Sequence, residues 1–137
     1  MTIFPEIKKR FGFGCMRLPM DGSQVDLSQT CAMVDCFMER GFNYFDTAHG
    51  YISGHSETAV RASLVSRYSR ESYILANKLS DGYFRTADDI RPIFETQLAA
   101  CGVDYFDFYL FHALNSTLYR RYTMCHAFEI LQQLKTE

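Results

Sequence analysis

The sequence predicts an α/β chain, a repeat of parallel strands joined by crossover helices. Four short runs rich in aromatic and aliphatic residues, Phe11 to Leu18, Phe42 to Asp46, Tyr73 to Lys78 and Phe106 to His112, alternate with segments whose apolar residues recur at helical spacing. Successive runs lie too far apart for tight hairpins, so they pair side by side in a parallel sheet with right-handed connections. A 47% hydrophobic share against 22% charge describes a chain that folds, and 137 residues fit one domain.

Each element has its own signal. Leu27 to Arg40 offers Val34, Phe37 and Met38 as an apolar stripe, and Gly41 follows as a C-terminal stop. Ser56 to Tyr68 sets Ala59, Val60, Ser63 and Leu64 on one side, with Glu57 and Arg61 at the i, i+4 spacing of an exposed ion pair. Asp89 to Cys101 places Ile90, Ile93, Phe94 and Leu98 on one face. Pro92 is tolerable there because it falls in the first turn, and Gly102 closes the helix. Met124, Ala127, Phe128, Leu131 and Leu134 form a last stripe. The stretches Met1 to Arg10, Pro19 to Asp26 and Ser80 to Arg85 read as loose.

Composition excludes several functions. Fourteen Lys and Arg against sixteen Asp and Glu leave a net charge of -2, without the cationic excess that binding to nucleic acid requires. No stretch approaches a membrane span, and Met1 to Arg10 holds Pro5, Glu6, Lys8, Lys9 and Arg10 where a signal peptide needs an apolar core, so a cytoplasmic location is expected. The five cysteines (Cys15, Cys31, Cys36, Cys101, Cys125) are odd in number and lack a C-x-x-C pair, which points to reduced thiols.

Ligands of parallel sheets bind at the C-terminal ends of the strands. Asp46, Lys78 and His112 each close an apolar run, and Tyr51 follows in the loop leaving Asp46. Together they are expected at one mouth. An ammonium beside a phenol favours the phenolate, and an imidazole alongside can orient a carbonyl oxygen. Such a set suits proton donation to a carbonyl while a hydride arrives at its carbon.

The motifs Gly-Phe-Gly-Cys-Met-Arg-Leu-Pro (12–19), Asn-Tyr-Phe-Asp-Thr-Ala-His-Gly-Tyr (43–51), Ile-Leu-Ala-Asn-Lys-Leu (74–79) and Gly-Val-Asp-Tyr-Phe-Asp-Phe-Tyr-Leu-Phe-His (102–112) carry a resemblance. From about Phe11 onward the chain resembles the amino-terminal half of an aldo-keto reductase, nearest the bacterial branch that often bears an iron–sulfur segment near its C-terminus. The resemblance implies about half of a TIM (β/α)8 barrel that reduces a small aldehyde or ketone with NADPH or NADH. It implies Tyr51 as proton donor, Asp46 and Lys78 as the groups that tune it, and His112 as the residue that orients the substrate. It also implies Gly14, Cys15 and Met16, with Asp46, at the nicotinamide and its ribose. The loop from Ala48 to Glu57 is longer than in short-looped members, and Asn43 replaces a frequent Arg. The family's phosphate-binding loops belong to its seventh and eighth strands. This implies an N-terminal portion of a longer barrel, with little or no turnover by the chain alone.

Two other readings stand beside this one. Asp46, His49 and His112 could ligate a divalent ion in a barrel hydrolase or isomerase, though Lys78 and Tyr51 would then have no role and a cation near Lys78 would be repelled. A non-catalytic assembly module would instead associate through exposed sheet edges, with Phe45, Ile74, Ala76, Phe108 and Leu110 lining either a closed barrel or a contact between copies.

Overall fold

The computed structural model describes residues 4–137. Four strands form one parallel sheet in the order β1 (Gly12–Gly14), β4 (Tyr44–Asp46), β5 (Ile74–Leu79) and β6 (Phe108–Phe111). The register sets Gly14 opposite Asp46, Asp46 opposite Ala76, and Lys78 opposite Leu110. The first strand is thus shorter than the run Phe11 to Leu18. Two short strands within the supposedly loose Pro19 to Asp26, β2 (Met20–Asp21) and β3 (Gln24–Val25), pair antiparallel around Gly22 at φ 59°.

Helices cover one face. Helix α1 (Leu27–Glu39) starts where the Asp26 carboxylate accepts from Gln29 N at 2.9 Å, buries Thr30, Val34 and Phe37, and ends before Gly41 at φ 78°. Helix α2 (His55–Val60) runs on through a π-helical turn at residues 61–65, which keeps Ala59, Val60, Ser63 and Leu64 buried. Helix α3 (Ile90–Cys101) follows a capping box between Thr86 and Asp89, carries Pro92 in its first turn, and closes at Gly102 with φ 71°. A Cβ on Gly102 would stand 2.9 Å from the Arg61 side chain as well as requiring the left-handed region.

Three sequence expectations are corrected here. The last stripe is two helices, α4 (Ser116–Met124) and α5 (Ala127–Leu134), broken at His126 with φ 52°; Met124 lies 81% exposed, off the stripe. Glu57 and Arg61 form no exposed pair, since Glu57 is buried and Arg61 turns to the Ala99 carbonyl at the end of α3. Phe45 points to the helices and not to the barrel interior. It packs within 5.2 Å of Phe37 and 5.5 Å of Phe13 between ring centroids, in a core that also holds Val34, Leu64 and Leu75. Tyr44 takes the interior side instead, its ring 5.8 Å from Phe108.

A second core under α4 and α5 gathers Leu79, Phe84, Ile90, Tyr122, Cys125 and Ala127. Its Tyr122 hydroxyl donates to the Leu79 carbonyl at 2.8 Å and lies 3.3 Å from that of His112, which ties the ends of β5 and β6 together. Of the loose stretch Met1 to Arg10, residues 1–3 lie outside the described residues, and Phe4 sets its ring edge-on against Phe108. No described helix is long and apolar enough to cross a membrane. All five cysteines are free thiols.

Candidate active site

Alternation along β4 and β5 sends Asp46 and Lys78 to the face opposite the helix layer, at the strands' C-terminal ends. The Lys78 ammonium donates to Asp46 Oδ1 at 2.5 Å and to the Thr47 carbonyl at 2.7 Å, with Lys78 only 8% exposed. Two acceptors on one ammonium hold a long flexible side chain in place.

Tyr51 arrives on a tight turn. Its N–H donates to the Ala48 carbonyl at 3.0 Å, after which Ile52 and Ser53 adopt left-handed φ of 51° and 53° and Gly54 reaches 90°. Left-handed β-branched isoleucine is sterically costly, so the packing around this turn must over-determine it. The turn lays the Tyr51 ring beside Lys78, whose Nζ sits 4.8 Å from the ring centroid. A positive charge at that distance is attracted to the π face.

His112 completes the group from the end of β6, where its N–H donates to the Leu79 carbonyl at 3.0 Å. Its Nε2 lies 3.5 Å from the Tyr51 hydroxyl, and its Nδ1 lies 2.7 Å from Ser80 Oγ. Burial holds the imidazole below its ordinary value and Lys78 pushes the same way, with Asp46 partly opposing. The neutral ring is therefore favoured. When the Ser80 hydroxyl donates to Nδ1, the ring proton resides on Nε2, facing the rim.

All four residues predicted for the acid set therefore meet on one rim. Ser80 was not foreseen, although a residue two beyond Lys78 along an extended strand shares its face. The residues assigned to the nicotinamide end lie next to them. Gly14 is exposed and open, with nothing within 4 Å of where a Cβ would stand, and Met16 is 51% exposed. Cys15 is buried. Its N–H donates to the Asp46 carbonyl at 2.8 Å and its carbonyl accepts from Ser56 Oγ at 2.8 Å. Its thiol is pushed up to about 12, chiefly by burial and then by Asp46. Cys15 thus braces the backbone between Gly14 and Met16, leaving those two as the surfaces a ligand could touch.

The metal-site alternative finds no support. His49 turns to Glu57, with 2.9 Å between Nδ1 and Oε2, and among the described residues no group of three or more His, Cys, Asp and Glu could hold a metal ion. As arranged, the rim can offer a hydroxyl proton, a fixed ammonium beside it, and a neutral imidazole to a polar substrate atom.

The chain is similar to known proteins. The model of the Aldo/keto reductase family matches residues 10–137. A curated relative, norsolorinic acid reductase B of Dothistroma septosporum, is 40% identical over 58 residues, 42% of this chain and 15% of its own. Among solved structures, the holo form of an aldo-keto reductase from Bacillus halodurans superposes with TM-score 0.69 at 29% identity, covering 90% of this chain and 42% of that one. An aldo-keto reductase from Klebsiella pneumoniae in complex with NADPH gives 0.64 at 22% identity, covering 77% and 35%. The chain thus spans less than half the length of each of these relatives.

Proposed function

The chain belongs to the aldo/keto reductase family, and on that premise we propose that it carries the proton-donating part of an NADPH- or NADH-dependent reduction of a small aldehyde or ketone. The observation that carries this reading is the Tyr51 ring beside Lys78 Nζ, 4.8 Å from its centroid, with the hydroxyl 3.5 Å from His112 Nε2.

Tyr51 gives its proton to the carbonyl oxygen as that oxygen becomes an alkoxide. Negative charge then develops on the phenol next to the Lys78 ammonium. At 4.8 Å, taken to the ring centroid, and an effective dielectric of about 20, unit charges attract by roughly 3 kcal/mol, on the order of a hundredfold in rate. Asp46 and the Thr47 carbonyl hold the ammonium there. His112, neutral and oriented by Ser80, donates from Nε2 to the same carbonyl oxygen and fixes its position against the hydroxyl.

The open backbone at Gly14, exposed Met16 and the Asp46 carboxylate fit the nicotinamide and ribose end of the cofactor, since together they leave an uncovered floor next to the acid group. The cofactor, when bound, supplies the hydride. NADPH in the Klebsiella relative supports a nicotinamide.

The test joins this chain to the remaining strands of the Bacillus halodurans reductase, so that the cofactor's phosphate end is held independently of it. NADPH oxidation with a reactive aldehyde is then followed. Turnover that falls at least about a hundredfold in Tyr51→Phe is expected; turnover that Tyr51→Phe leaves unchanged contradicts the assignment.

A further inference from the structure

Behind Lys78, on the helix side of the sheet, lies a buried polar network that the chemistry at the rim does not itself use. Asn77 points into that layer and is fully buried, as is Gln97 of α3. Lys78 N donates to Asn77 Oδ1 at 2.8 Å, and Gln97 Nε2 lies 3.1 Å from the Lys78 carbonyl and 3.0 Å from Asn77 Oδ1. Both peptide groups of Lys78 are thus gripped by side-chain amides. Those two amides converge on one atom, Glu57 Oε1, with Asn77 Nδ2 at 2.9 Å and Gln97 Nε2 at 3.1 Å. The Tyr109 hydroxyl donates to Gln97 Oε1, which sets which end of that amide faces Glu57, and burial pushes Tyr109 upward so that it keeps its proton.

Glu57 is 1% exposed, and its Oε2 lies 2.9 Å from His49 Nδ1. A carboxylate so buried, with no Lys or Arg beside it, is a poor device for stability, because desolvation offsets the gain from its hydrogen bonds. It is well made for registration. One oxygen ties α2, α3 and β5 together at the residue whose side chain must reach both Asp46 and Tyr51.

We propose that Glu57 is a positioning residue that holds the Lys78 backbone through Asn77 and Gln97, and so fixes the ammonium against the Tyr51 ring. The inference rests on the reading of Lys78 as part of the acid group, but its test requires no turnover. In the isotopically labelled chain, the Lys78 ε-methylene protons are displaced upfield by the ring current of Tyr51, with Tyr51→Leu defining the undisplaced value. Glu57→Gln keeps an oxygen for the two amides and is expected to retain most of the displacement. Glu57→Asp keeps the carboxyl group but falls short by one methylene, and Glu57→Ala removes the acceptor; both are expected to lose more than half of it. If Glu57→Ala does not fold, the comparison of Glu57→Asp with Glu57→Gln still decides. A displacement undiminished in Glu57→Asp, or lost equally in Glu57→Gln, overturns the hydrogen-bonded relay. Absence of turnover in the completed barrel together with the expected displacement pattern would reject the functional reading and leave the positioning role standing.

Discussion

Replacing Phe45 with alanine tests which face of the sheet carries the core. Phe45 is 1% exposed and has Phe37, Phe13 and Tyr73 at 5.2, 5.5 and 6.5 Å between ring centroids. Truncating a phenylalanine so enclosed costs about 3–5 kcal/mol, because lost transfer energy and the residual cavity add. Leu110, on the opposite face of the sheet, is 39% exposed, so Leu110→Ala forfeits much less, about 1 kcal/mol. With a urea slope of about 1.5 kcal/mol/M, Phe45→Ala lowers the unfolding midpoint by about 2–3 M and Leu110→Ala by less than about 1 M. Equilibrium urea unfolding followed by far-UV circular dichroism reads both. A Phe45→Ala cost below that of Leu110→Ala would mean that Phe45 faces away from the helix layer, and the packing described here would be wrong.

Two further outcomes follow from the same geometry. His112 titrates below its ordinary value of about 6.5 in the folded chain, so between the lowered folded value and that unfolded reference the unfolded chain binds more protons. Its contribution to stability is complete above about pH 6.5 and is lost as pH falls below it; urea midpoints should be higher at pH 7.5 than at pH 5.5. His112→Gln should flatten that difference, and an undiminished difference would place the titration elsewhere. Among the thiols, Cys36 is exposed while Cys15, Cys101 and Cys125 are buried, and burial pushes both Cys15 and Cys101 upward. A disulfide reagent near pH 8 should label Cys36 quickly and the three buried thiols only after unfolding; rapid labelling of Cys15, mapped by mass spectrometry, would contradict the packing.

The rim was legible because strand-end position and residue type are both local facts. Asp46, Lys78 and His112 each close an apolar run, and parallel pairing brings such ends together without further information. Gly41 and Gly102 marked helix ends correctly because each stands just past an apolar stripe and adopts positive φ. The faces were harder. In a parallel sheet both sides are apolar, so alternation separates Tyr44 from Phe45 without saying which meets the helices. Glu57 shows a different limit. Its i, i+4 partner Arg61 lies on the same helical segment, but its Oε2 meets His49 in the preceding loop and the amides on its Oε1 come from Asn77 on β5 and Gln97 on α3, 20 and 40 residues away. Helical spacing cannot reveal partners that only the tertiary fold supplies. The break at His126 was hidden likewise, since a single left-handed residue leaves the hydrophobic period on either side almost unchanged.

The most direct test of the central claim, that Tyr51 and Lys78 act as one proton-donating unit, is a double-mutant cycle on kcat/KM in the completed barrel. Tyr51→Phe, Lys78→Met and the double variant are compared for aldehyde reduction. If the ammonium acts through the phenol, the double variant is no slower than Tyr51→Phe alone, because the lysine has nothing left to stabilise. If the two losses multiply, Lys78 and Tyr51 work independently and the account of this rim fails.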